Sequence, residues 1–223
     1  MTYLEDVIEE LQKRYNQCLI DNFYSTERLV EVTTQTGAVT KEIFQLQMET
    51  GVQEDSTTKI YYDLNRFNPH YSKAYFRVSV SSMADVFLWA GFKKSFSDPA
   101  YDDTETHSAL MIRNGNVYFT TGNELGIATG YQNTQLSGID LTKDFIFKIE
   151  GNKISFMPLP QITPYFDTFR ILSPSRVWTL KATNSTNPPE DQTHYVMFFI
   201  SNSTNVNKIA TVKHFHYLEQ YAD

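Results

Sequence analysis

Cysteine is almost absent from this chain, and so are a basic excess, a long apolar run and any short catalytic motif. Cys18 stands alone among 223 residues, so no intrachain disulfide can form. Lys and Arg total 19 against 26 Asp and Glu, a formal charge of −7 that removes the electrostatic footprint of a nucleic-acid binder. Lysine pairs such as Lys93-Lys94 are read as solvated strand ends. No stretch approaches the roughly 20 apolar residues that cross a bilayer, so no transmembrane segment is expected. Where a secretory signal would be basic and then apolar, the N-terminus carries Glu5, Asp6, Glu9 and Glu10, so synthesis in a cytosol is expected. There is no Gly-rich phosphate loop, no Gly-x-Ser-x-Gly elbow and no Cys/His pairing.

What is present is β-structure. Ser108–Ile112 and Val117–Thr121 flank Arg113-Asn114-Gly115-Asn116, and Asn-Gly tolerates the two positive φ values of a type I′ turn. Asp144–Ile149 and Lys153–Met157 flank Glu150-Gly151-Asn152, where Gly-Asn supplies glycine at the first centre of a II′ turn. Further strand candidates are Leu29–Thr33, Ile43–Thr50, Lys59–Tyr62, Tyr75–Val80, Val86–Phe92, Phe166–Ile171, Val177–Ala182, His194–Ser201 and Thr211–Leu218. Phe76, Val78 and Val80 alternate with Arg77, Ser79 and Ser81, the mark of one buried and one wet face. Such runs, punctuated by turn pairs such as Asn68-Pro69 and Asp98-Pro99, predict a two-sheet antiparallel sandwich over residues 25–223.

Residues 1–24 read differently. Thr2 and Glu5 form a capping box, and Leu4, Ile8, Leu11, Tyr15 and Cys18 recur at spacings of four and three, predicting an amphipathic helix over 2–21. Cys18 then falls on the apolar face as a small buried residue. The stripe is covered either by the chain's own sheet or by copies of itself. Its narrow, heptad-like spacing favours a homo-oligomer docked through Leu4, Ile8, Leu11 and Tyr15.

From about residue 40 onward the order of features resembles the concanavalin A-like lectin/glucanase sandwich, a jelly-roll variant. The landmarks are Leu46-Gln47-Met48-Glu49-Thr50-Gly51, Tyr75-Phe76-Arg77-Val78, Phe87-Leu88-Trp89-Ala90-Gly91-Phe92, Ala109–Thr121 and Phe145–Met157, with Val212–Glu219 as a closing strand. Ile149 to Phe156 looks like that fold's I-x-G-x-x-x-x-F hairpin. The resemblance implies an all-β jelly-roll sandwich. With an N-terminal helix ahead of it, the layout is similar to structural and receptor-binding virion proteins of archaeal viruses and phages.

Asp103, Glu105 and His107 alternate and would share a face in a strand. A retaining glycosidase needs two carboxylates about 5 Å apart. The Glu-x-Asp-x-x-Glu and Glu-x-Asp-x-Glu spacings used by glycosidases of this fold are absent, so the segment is read as an acidic loop before the strand at Ala109. No cofactor is expected. Ca²⁺ held by Asp98, Asp102, Asp103 and Glu105 stays open on the chemistry of hard oxygen ligands, although the glycine and regular spacing of a calcium loop are missing. His107, His194, His214 and His216 are spread among strands and do not form a zinc set. Asn184-Ser185-Thr186 and Asn202-Ser203-Thr204 are glycosylation sequons. Tyr61, Tyr62, Tyr101, Tyr131 and Trp178 are the aromatics expected to stack on sugar faces.

These observations give three readings. The first is a non-enzymatic virion component, at a tail, spike or capsid vertex, whose partners are copies of itself and other virion proteins. The second is a carbohydrate-binding, lectin-like module that attaches to host surface glycans. The third is a glycoside hydrolase diverged beyond its motif.

Overall fold

The computed structural model describes residues 15–21, 29–42, 45–63, 67–70, 72–124, 130–143, 145–158, 178–189 and 192–220. Within them the chain forms two antiparallel sheets. The eight-stranded sheet runs β13 (Thr179–Thr183), β12 (Lys153–Pro158), β11 (Phe145–Glu150), β6 (Ser72–Val80), β15 (Ile209–Gln220), β4 (Gln45–Glu49) and β3 (Ala38–Glu42). β1 (Tyr15–Asp21) also belongs to it, paired with β15. The seven-stranded sheet runs β10 (Tyr131–Leu136), β9 (Asn116–Gly122), β8 (His107–Arg113), β7 (Val86–Lys93), β14 (Tyr195–Asn202), β5 (Thr57–Tyr62) and β2 (Leu29–Thr33). The two-sheet antiparallel sandwich expected from the sequence is the observed architecture.

Both hairpins close on two-residue turns. Arg113 pairs with Asn116, and Asn114 and Gly115 take φ of 50° and 75° as a I′ turn requires. Glu150 pairs with Lys153 around Gly151 at φ 56°, the residue a II′ turn puts in that region. The main core lies between the sheets. Phe76 stacks on Phe147 at 4.9 Å and tilts against Phe215 at 5.2 Å, and Phe67 meets Tyr217 edge-on at 4.8 Å. Leu88, Ala90, Leu110, Ile112, Phe119, Phe198 and Ile200 approach from the seven-stranded side.

The helix expected over 2–21 is corrected in part. Tyr15–Asp21 is strand, with Cys18 opposite Leu218 and Ile20 opposite His216. β4 covers the edge of β15 only from Ile209 to Val212, so the distal half of that twelve-residue strand has unpaired backbone groups that β1 completes. Pairing those groups outweighs a helical stripe whose last two turns are short of good helix formers. Tyr15, one of the four residues assigned to a docking helix, is therefore the first residue of a strand. Leu4, Ile8 and Leu11 lie outside the described residues, as does the strand expected at Phe166–Ile171.

Candidate functional site

β8 is buried on both faces, with only Arg113 at its end partly open. A strand in the middle of a sandwich sheet buries one face against the core, so a second covered face means that something lies over it. Here the cover is the segment from Lys94 to Thr106, which leaves the end of β7 and folds back across the outer face of the seven-stranded sheet. Beneath it sits a second apolar layer of Trp89, Ala109, Met111, Met197 and Phe199, bordered by Tyr61, Phe87, Tyr101 and Tyr118.

Lysines rising from the sheet hold this strap down. Lys93 Nζ donates to Asp103 Oδ2 at 2.5 Å and to Glu105; the Lys93 side chain is 1% exposed and that of Asp103 8%. Lys59 Nζ donates to the Phe96 carbonyl at 2.7 Å and to Asp98 at 2.6 Å, while Lys94 pairs with Glu124 at 2.6 Å. Asn133 Nδ2 reaches from β10 to the Tyr101 carbonyl at 2.7 Å. Lys93 is thus the opposite of the solvated strand end expected from sequence. Its ammonium is neutralised by two carboxylates that come back over it ten and twelve residues later.

His107 sits below the returning limb of the strap. Its Nδ1 lies 2.7 Å from the Glu105 carbonyl, which can only accept, so Nδ1 donates and Nε2 accepts from the Thr120 hydroxyl at 2.7 Å. Burial pushes the imidazole down to about 4, leaving it neutral. Gly122 makes room for this arrangement, since a Cβ there would stand 2.2 Å from the Glu105 carbonyl oxygen and 2.5 Å from His107 Nδ1. Burial alone would raise the Glu105 carboxyl. Hydrogen bonds from Lys93, Ser95 and Ser97, with the charge of Lys93, overcome it and hold the group below its ordinary value.

Beyond the tip of the strap the outer face opens as a cleft of about 350 Å³, lined by Phe87, Pro99, Ala100, Tyr101, Asp102, Arg113, Phe199 and Ser201. Phe87 and Phe199 meet edge-on at 5.9 Å. The Arg113 guanidinium lies over the Tyr101 ring, with Cζ 4.0 Å from its centroid, and Tyr118 packs edge-on to the same ring at 5.7 Å. The cleft therefore combines aromatic surface with a cation, a carboxylate and a hydroxyl, the polar–apolar mixture that holds a small polar ligand.

Of the five aromatics expected to contact sugar, Tyr101 lines this cleft and the other four do not. Tyr61 stacks on Phe96 at 5.7 Å, with Tyr195 edge-on at 6.2 Å, over a different part of the same face. Tyr62 is 1% exposed and packs on Phe215 in the core, so it is out of reach of any ligand, a correction that follows from the period-two alternation placing it opposite Tyr61. Tyr131 lies at the start of edge strand β10, opposite Gly122. Trp178 immediately precedes β13 of the other sheet, against Tyr75 at 5.5 Å and near the Lys148 ammonium. Phe87, Arg113, Phe199 and Ser201 carried no signal in the sequence, because each is one residue of an ordinary alternating strand.

The acidic segment is a loop before β8, as expected. Its four carboxylates do not converge: Asp103 and Glu105 are tied to Lys93, Asp98 to Lys59, and Asp102 lines the cleft. They do not fit a Ca²⁺ site, and among the described residues no group of three or more His, Cys, Asp or Glu could hold a metal ion. Both sequon asparagines are structural. Asn184 is 1% exposed and donates to the Phe119 and Gln132 carbonyls and to Thr121 Oγ1; Asn202 is 3% exposed and donates to the Gly51 and Val206 carbonyls. Neither amide nitrogen is accessible to glycosylation in the folded chain.

No family model and no curated protein matches the chain. Solved structures do, at low identity. A structure described as a native glycosidic hydrolase aligns with a TM-score of 0.62 at 9% identity, over 93% of this chain and 98% of its own. The exoplasmic/lumenal domain of VIP36, in a form with Ca²⁺ and mannose bound, aligns at 0.58 and 8% identity, over 92% and 91%. A protein of unknown function from Shewanella oneidensis MR-1 aligns at 0.56 and 10% identity, over 100% and 98%. The chain has the jelly-roll sandwich fold of lectin domains and glycoside hydrolases.

Proposed function

We propose that this chain is a non-enzymatic, carbohydrate-binding module of lectin type, with its sugar site in the cleft between the strap tip and the β7–β8–β14 face. The observation that carries the reading is the composition of that cleft: the half-buried rings of Phe87 and Tyr101 for the apolar faces of a pyranose, with Asp102, Arg113 and Ser201 for its hydroxyls. The fold shared with lectin domains supports it. Hydrolysis is not proposed because the alternating carboxylates singled out for it, Asp103 and Glu105, clamp Lys93 under the strap. The virion role and the homo-oligomer expected from the N-terminal stripe draw no support from the described residues.

A glycan array followed by calorimetry on the best ligand tests the proposal. Tyr101→Ala should weaken binding about tenfold, the scale of one lost aromatic–sugar contact. Phe87→Ala, a change in β7 rather than in the strap, should weaken it similarly. Absence of saccharide binding, or binding indifferent to both changes, would refute the site.

A further inference from the structure

We infer that the cleft selects an anionic saccharide, one bearing a carboxylate or sulfate group, and that Arg113 is the residue that reads the charge. The inference rests on the glycan-binding reading above and names the class of sugar within it.

Three observations converge on Arg113. The lysines that anchor the strap, Lys59, Lys93 and Lys94, are each neutralised by an acid of the loops around them. Arg113 has no carboxylate partner among the described residues, although the chain carries an acidic excess of seven. Its guanidinium instead lies over the Tyr101 ring, with Cζ 4.0 Å from the centroid, a contact that consumes none of its hydrogen bonds. A guanidinium held by a ring face keeps its planar N–H fork available, and that fork meets a carboxylate or sulfate with two parallel hydrogen bonds.

The position of Arg113 adds to this. It ends β8 next to the tight Asn114-Gly115 turn, and pairs across the hairpin with Asn116, so its backbone is fixed by a ladder rather than by a loop. The ring that holds the guanidinium is itself fixed, by Tyr118 edge-on and by Asn133 bonding the Tyr101 carbonyl. Phe87, backed by the buried Phe199 ring, then meets the face of the sugar while the charge is read at one end.

Asp102 is the feature that makes the inference testable by sign. Its carboxylate lines the same cleft and is exposed. Toward a neutral sugar it is an acceptor for hydroxyls, and its loss weakens binding. Toward an anionic sugar it is a like charge, and its loss strengthens binding.

The experiment is calorimetry with the full chain against three probes: a neutral oligosaccharide, an oligomer of uronic acid and a sulfated oligosaccharide. The expected result is tighter binding of one or both acidic probes, weakened at least tenfold by Arg113→Gln and weakened by added salt. Asp102→Asn should tighten the same probe severalfold, and unchanged thermal midpoints would show that both variants fold. If the neutral probe binds best and Asp102→Asn weakens it while Arg113→Gln does not, the anionic inference is overturned and the glycan reading stands. If no saccharide binds, both fall together.

Discussion

The ammonium of Lys93 lies 2.5 Å from Asp103 Oδ2, with the lysine side chain 1% exposed and the aspartate 8%, and Glu105 closes the other side. A charge taken this far out of water is stabilising only while its partners are in place. Lys93→Met should therefore cost about 3–5 kcal/mol in urea denaturation, because it strands the Asp103 carboxylate under the strap. Asp103→Asn should cost less, since Glu105 remains. The double variant should be at least about 1 kcal/mol more stable than the sum of the two losses. A Lys93→Met protein within about 0.5 kcal/mol of the parent would show that the pair does not hold the strap.

Two buried histidines set the response to acid. Burial pushes His107 and His194 down to about 4 in the folded chain, whereas an unfolded histidine takes its proton near 6.5. Between these values the unfolded chain binds protons that the folded chain refuses, so stability is full above pH 6.5 and falls as pH drops toward 4. Two and a half pK units correspond to about 3 kcal/mol for each histidine. Glu105, held below its ordinary value, adds a loss of the same sign at the acid end. Urea midpoints from pH 7.5 to 4.5 should trace the decline, and His107→Gln should make it shallower. An equal slope in the variant would contradict the assignment.

Asn184 ties one sheet to the other. Its backbone N–H donates to the Asn152 carbonyl beside the β11–β12 turn, and its side chain donates to Phe119, Thr121 and Gln132 on the opposite sheet while accepting from Thr134. Asn184→Ala strands several buried carbonyl and hydroxyl groups and should cost about 2–4 kcal/mol. Asn184→Asp removes the donor and adds an unpaired charge, so it should be at least as damaging. Mass spectrometry of protein made in a glycosylating host should find Asn184 and Asn202 unmodified in the folded fraction.

β1 makes the N-terminus part of the fold as far back as Tyr15. Removing residues 1–21 would uncover the edge of β15 from Phe215 to Gln220 and leave its backbone groups unpaired. The truncated chain should lose stability and aggregate. A soluble, cooperatively unfolding truncation would instead favour a dispensable docking element.

The hairpins were legible because turn chemistry is local: Asn114-Gly115 and Gly151-Asn152 demand their conformations from two residues alone. The sandwich followed from alternation in strands such as β6. β3 and β10 escaped notice because they are polar strands, and Tyr131–Leu136 has only Leu136 buried. Tyr15–Asp21 was misread because Tyr15 and Cys18 fit a helical period, while the unpaired half of β15 that claims them lies some 200 residues away along the chain. Of the aromatics lining the candidate site, Tyr101 was the one singled out in the sequence as a candidate glycan contact. Lys93 and Arg113 were not, since a lysine pair and a turn-flanking arginine look alike until the strap returns over one and Tyr101 stacks beneath the other.

If the cleft at the strap tip is the proposed saccharide site, its residues should report a bound ligand directly. Chemical-shift mapping on the isotopically labelled full chain, titrated with its best array ligand, is the measurement to make. The largest shifts should fall on Phe87, Tyr101, Arg113, Phe199 and Ser201 and saturate together. Shifts centred on the Tyr61–Phe96–Tyr195 cluster, or on Trp178 across the molecule, would place the sugar elsewhere and refute the cleft.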